Sequence, residues 1–142
     1  MLQMELAKDD VIAVLEDFPA IEHLSFRLEN ATIKHFQELP ELAELNLYGN
    51  PKLTAACCKD LKEMKKLRAL DLPSMRDLNA ALHELKDMKQ LRALRGLFGL
   101  NEESLTHLAE LTQLEHLDIR VSASKEALQR LKKALPRCRI KH

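Results

Sequence analysis

Between residues 39 and 53 the chain reads LPELAELNLYGNPKL, with leucines at 39, 42, 45, 47 and 53. Two steps of three residues are followed by one of two, which fits neither a strand alternation nor a helical stripe alone. The same mixed spacing returns along the chain. Phe18, Leu39, Met64, Met88, Leu111 and Leu135 form one apolar column, at intervals of 21 to 25 residues. Three residues after each stands Ile21, Leu42, Leu67, Leu91, Leu114 or Cys138. A further three residues bring Leu24, Leu45, Leu70, Leu94 and Leu117, and two more bring Phe26, Leu47, Leu72, Gly96 and Ile119. The unit is L-x-x-L-x-x-L-x-L, and self-similarity at a fixed period marks a repeat architecture.

The two step sizes predict two kinds of structure. The L-x-L part reads as a short strand with alternate side chains inward. The three-residue steps carry the chain out of a helix and into that strand. Helical spacing predicts helices in TAACCKDLKEM (54–64), LNAALHELKDM (78–88), NEESLTHLAEL (101–111) and SKEALQRLKKAL (124–135). Asn101 and Ser124 stand where N-caps belong, with Ser104 after Asn101 in place of the Glu or Gln of a full capping box. In RALRGLFGL (92–100) Gly96 replaces the inward leucine, which predicts a bulge that lets Leu97 fill the core. At the start, Met1, Met4 and Leu6 read as a degraded strand. Ile12, Leu15 and Phe18 follow at helical spacing, capped by Asp9 or Asp10 and ended by Pro19. No such unit can bury its apolar face alone, so stacking is obligatory. One domain is expected over 1–142: residues 1–20 a degraded repeat or cap, 21–134 repeats, and 135–142 a C-terminal cap strand.

The pattern resembles the leucine-rich repeat family, most closely the bacterial, planctomycete-like type with repeats of about 24 residues. ESLTHLAELTQLEHLDI (103–119) and LQRLKKALPRCRI (128–140) carry the likeness best, and it spans roughly residues 18–140. The resemblance implies an α/β solenoid of about six repeats, with parallel strands on a concave face and short helices on a convex face. The chain departs from the family at the position of Asn50, where an Asn or Cys that bonds loop backbone is favoured. Glu29, Met75, Gly99 and Ser122 hold that position elsewhere.

Composition narrows the function. Of 142 residues 29 are leucine and none is tryptophan, consistent with one packing environment repeated. The formal net charge is zero, which argues against wholesale nucleic-acid or membrane binding. No basic start precedes an apolar run at Met1–Leu6, and no apolar run approaches the ~18 residues of a membrane span. Cys57, Cys58 and Cys138 make neither a disulfide framework nor a metal motif, and read as reduced thiols of a cytoplasmic protein.

The outward strand positions define a candidate surface. They are His23, Ser25 and Arg27; Glu44, Asn46 and Tyr48; Ala69, Asp71 and Pro73; Ala93, Arg95 and Leu97; and His116, Asp118 and Arg120. Arg137, Arg139 and Lys141 alternate with Cys138 and Ile140 and share one face. His23 and His116 sit four strands apart, about 19 Å at ~4.8 Å per strand, too far to share an ion. His35, His83 and His107 read as solvated helix positions, and His83-Glu84 lacks the second histidine of the metalloprotease motif. With three glycines and no phosphate loop, neither a cofactor nor an enzymatic activity is expected.

From Arg120 to His142 there are eight Lys and Arg residues and one acidic residue, Glu126, which leaves residues 1–119 with a net charge of −7. A basic end of this kind suits an acidic partner surface or the acidic half of another copy. Nucleic acid is the weakest of these, since no stacking aromatic stands near the basic tail in sequence. The reading is a noncatalytic module that binds another protein through its concave sheet. Arg27, Glu44, Asn46, Tyr48, Asp71, Arg95, His116, Asp118, Arg120, Arg139 and Lys141 are the contact residues. Its rivals are a self-assembling section of a larger repeat protein and the recognition part of an enzyme whose catalytic domain lies elsewhere.

Overall fold

The first three-residue step of each of these repeats is one tight turn. The amide of Leu42 donates to the carbonyl of Leu39, Leu67 to Met64, Leu91 to Met88, Leu114 to Leu111 and Cys138 to Leu135, at 3.0–3.3 Å. A bond from residue i+3 to residue i reverses the chain and leaves both apolar side chains on the inner side. The strand that follows then takes the two-residue step. The structure, a computed structural model, describes residues 2–4, 23–26, 33–39, 41–120 and 124–142. Arg27, Glu29, Ser122 and the expected helix over 12–18 lie outside them.

The strands are β1 (Leu2–Met4), β2 (His23–Phe26), β3 (Glu44–Asn46), β4 (Ala69–Asp71), β5 (Ala93–Phe98), β6 (His116–Arg120) and β7 (Arg139–Lys141). They form one parallel sheet in chain order. A 3-10 helix, Lys34–Glu38, precedes β3, and four α-helices follow between later strands: α1 (Ala56–Leu61), α2 (Leu78–Leu85), α3 (Glu102–Ala109) and α4 (Lys125–Ala134). Parallel neighbours joined by a crossover helix explain the strand order directly. The register aligns Leu24, Leu45, Leu70, Leu94, Leu117 and Ile140 across neighbouring strands. Leu39, Met64, Met88, Leu111 and Leu135 are all buried, as are Leu42, Leu67, Leu91 and Leu114. Cys138, the last of that second column, is only half-buried.

The helices are shorter than their apolar spacing suggests, because caps and turns cut their ends. Ser124 accepts from the Ala127 amide at 3.1 Å and starts α4. The expectation for Asn101 is corrected. Its Oδ1 accepts from the Ser104 amide at 2.8 Å while Ser104 Oγ accepts from the Asn101 amide at 3.2 Å, a complete capping box. A serine hydroxyl is long enough to do what the Glu or Gln side chain does elsewhere. Asn50 donates from Nδ2 to the Leu47 carbonyl at 2.9 Å. In the turns before β5 and β6, glutamines tie one repeat to the previous one. Gln90 Nε2 donates to the Met64 carbonyl at 3.0 Å and Gln113 Nε2 to the Met88 carbonyl at 3.1 Å.

Candidate protein-binding face

Alternation along β3 to β7 sends the leucines into the core and the intervening side chains to the other face of the sheet. On β3, Asn46 is half-buried and its Oδ1 accepts from the Tyr48 amide at 2.8 Å. That bond to its own backbone two residues on is an Asx turn. It fixes the chain where Tyr48, 61% exposed, leaves the strand. Among the described residues Tyr48 is the exposed large apolar side chain.

Across β3, β4 and β5 the charges close on one another. Arg95 Nε donates to Asp71 Oδ1 at 2.5 Å, and Arg95 Nη2 reaches Glu44 Oε2 at 3.5 Å. Partial burial pushes the Arg95 pKa down, but the bond to Asp71 and the charges of Asp71 and Glu44 outweigh it, and the pKa ends above its ordinary value. One strand pair further, His116 is exposed and stands beside Arg139. Lys141, aligned with Asp118, lies 3.3 Å from its Oδ2. The register of the last strand therefore puts Arg139 and Lys141 on the same face as Asp118, with Ile140 opposite. Arg137 is exposed in the preceding turn.

Three outward assignments are corrected. Ala69, Pro73 and Leu97 are buried. Ala69 is too short to stand clear of its neighbours, and the β5 bulge turns Leu97 inward, as the glycine predicted. The pairing is Leu94 with Leu117, then Leu97 with Ile119 and Phe98 with Arg120. Phe98 thereby takes the outward place, a position on the open face that sequence reading missed. Its ring centroid lies 6.3 Å from that of Tyr48, and the Arg120 guanidinium stands over it at 5.7 Å. The pairing of Leu97 inward with Phe98 outward was the available signal, since alternation resumes after a bulge. It also gives the basic end the aromatic neighbour that the linear sequence lacks.

On the helical side His107 is half-buried rather than fully solvated, with its ring 5.9 Å from His83 in an edge-on contact. Its Nε2 lies 3.8 Å from Glu103, and its buried Nδ1 has no partner. Among the described residues no group of three or more His, Cys, Asp or Glu side chains is placed to hold a metal ion. No helix among them is long and apolar enough to cross a membrane.

No family model matches the sequence, and no match is found among curated proteins. Solved structures do match. The tropomodulin C-terminal domain of Caenorhabditis elegans superposes with a TM-score of 0.63 at 16% identity, covering 93% of this chain and 93% of that one. Leiomodin-1 actin-binding site 2 superposes with a TM-score of 0.69 at 16% identity, over 91% of this chain and 87% of that one. A Leptospira interrogans leucine-rich-repeat protein matches with a TM-score of 0.59 at 22% identity, over 100% of this chain and 37% of its own length. At these identities the likeness is one of fold: an α/β arrangement of parallel strands and short helices like that of leucine-rich-repeat proteins.

Proposed function

We propose that the chain is a noncatalytic protein-binding module that engages its partner through the open face of the sheet. The observation that carries this reading is the face itself, where side chains from successive strands present two aromatics and a set of cations and carboxylates. Rigid, side-chain-studded sheets suit recognition, and interface energy concentrates in Tyr, Trp and Arg. Tyr48, Arg95 and Arg120 are the energetic anchors of this reading, joined by Arg27. Glu44, Asp71 and Asp118 set the charge register, Asn46 and His116 add polar contacts, and Arg139 and Lys141 extend the face. A stack curved into a solenoid would make the face concave. The fold shared with leiomodin-1 actin-binding site 2 supports a binding role and makes actin the first partner to try.

The test is capture on the immobilised full chain, beginning with actin and then a lysate, compared with a chain carrying Arg139→Glu and Lys141→Glu. Captured protein should be lost from the double variant, while its melting temperature stays nearly unchanged because both side chains are exposed. Capture should also weaken with salt, as the Debye length falls from ~10 Å at 0.1 M to ~3 Å at 1 M. Capture that survives the double reversal would remove Arg139 and Lys141 from the interface.

A further inference from the structure

The bulge at Gly96 that turns Leu97 inward also re-aims the residue after it. Gly96 has a backbone φ of +75°, and a Cβ there would stand 2.8 Å from the Leu72 carbonyl oxygen. Glycine is the residue that fits, and the outcome is a one-residue shift that puts Phe98 on the open face. Bulges commonly re-aim a side chain in this way. Resting on the protein-binding reading above, we infer that Tyr48, Phe98 and Arg120 form a ledge for an apolar side chain of an acidic protein segment, whose carboxylates pair with Arg120 and Arg139.

Charge selects this occupant. Arg95 is paired with both Asp71 and Glu44, and Lys141 with Asp118. Arg120 and Arg139 make no ion pair among the described residues, so a carboxylate is what the rim still lacks. Arg120 is held in place by the Phe98 ring, a cation–π contact that leaves its donors free for a carboxylate. From Tyr48, just past the end of β3, to Arg120 on β6 is three strand spacings, roughly 14 Å at ~4.8 Å each, and Arg139 lies one spacing on. An extended segment of roughly four to six residues covers that distance at ~3.3 Å per residue. The segment lies across the strands, so side chains rather than backbone pairing hold it. Aromatics beside cations also suit single-stranded nucleic acid. A phosphate backbone carries a charge at every unit and needs a basic excess along its whole track, whereas among the described residues the strand cations left unpaired on this face are two, Arg120 and Arg139.

Short random peptides displayed on phage, selected against the intact chain, test the ledge. Selection should enrich peptides with an aliphatic or aromatic residue beside Asp or Glu. Synthetic copies should lose at least about tenfold in affinity with Phe98→Ala and with Arg120→Glu, the loss expected on truncating a hot-spot side chain. Circular dichroism establishes that both variants remain folded, and Arg120, being exposed, carries the test if Phe98→Ala does not. Enriched peptides that ignore both variants yet lose binding with Arg95→Gln would overturn the ledge and leave the sheet-face reading standing. Indifference to all three variants would overturn both. Enrichment of basic peptides, or no enrichment at all, overturns the inference. So does a labelled oligothymidylate that binds more tightly than any peptide and is lost with the same variants.

Discussion

At the scale of single residues, the repeat makes position decide chemistry. Leu70 and Leu117 occupy the same column, 0% and 1% exposed, each between aligned leucines or isoleucine on neighbouring strands. Leu→Ala at either should cost about 2–5 kcal/mol by lost burial and an unfilled cavity, measurable by denaturant titration. A cost below ~0.5 kcal/mol at both would mean that the register is wrong. Thiol reactivity reads the same packing. Cys57 and Cys58 are fully buried with their sulfurs 4.0 Å apart, and the bond to Cys57 together with burial pushes the Cys58 thiol well up. Cys138 is half-buried, and burial raises its pKa. A thiol reagent at neutral pH should therefore modify Cys138 first and reach Cys57 and Cys58 only on unfolding, because the thiolate is the reactive form. The inward columns were legible in the sequence because leucine repeats at fixed intervals. Phe98 was harder to place, because its direction depends on where the bulge falls and not on its own hydrophobicity.

At the scale of elements, strands and helices stay together through bonds between one repeat and the next. Asp77 Oδ2 accepts from the Ala55 amide at 2.8 Å, one repeat earlier, and Ser104 Oγ donates to Asn79 Oδ1 at 2.5 Å. These contacts, like those of Gln90 and Gln113, run between residues 22 to 26 apart and have no short-range signature in the sequence. The asparagine departure at positions 75 and 99 was visible; the glutamines that tie the repeats were not. Between α1 and α2, Lys62 pairs with Glu84. The bond to Lys62 holds the Glu84 carboxyl below its ordinary range, and the bond to Glu84 raises Lys62. The folded chain thus holds the Glu84 proton more weakly than the unfolded chain does. The pair's stabilisation is complete at neutral pH, fades as pH falls through the carboxylate range, and fades again as pH rises past the lysine range. Glu84→Gln should cost about 0.2–1 kcal/mol at pH 7, the usual range for such pairs. The difference from the parent chain should vanish in acid; a difference that persists there would point to packing instead of charge.

At the scale of the whole molecule, a sheet in strict chain order means that every strand is held by its immediate neighbours alone. Stability in such stacks is close to a sum of repeat and interface terms. Amide exchange should accordingly be slowest in β4 and β5, paired on both sides, and faster in β7, which pairs with β6. The overall arrangement was legible in the sequence because each repeat spells the same strand, turn and helix. The partner was not, since the open face is written in single residues, one or two per repeat, whose identities are free to vary without disturbing the core. That face is the central claim, and cross-linking tests it most directly. A photo-crosslinking amino acid is placed at Tyr48 on the open face and, separately, at Gln129 on the exposed side of α4. Bound partner should be trapped from position 48 and not from 129; trapping from 129 with none from 48 would place the binding surface on the helices and contradict the claim.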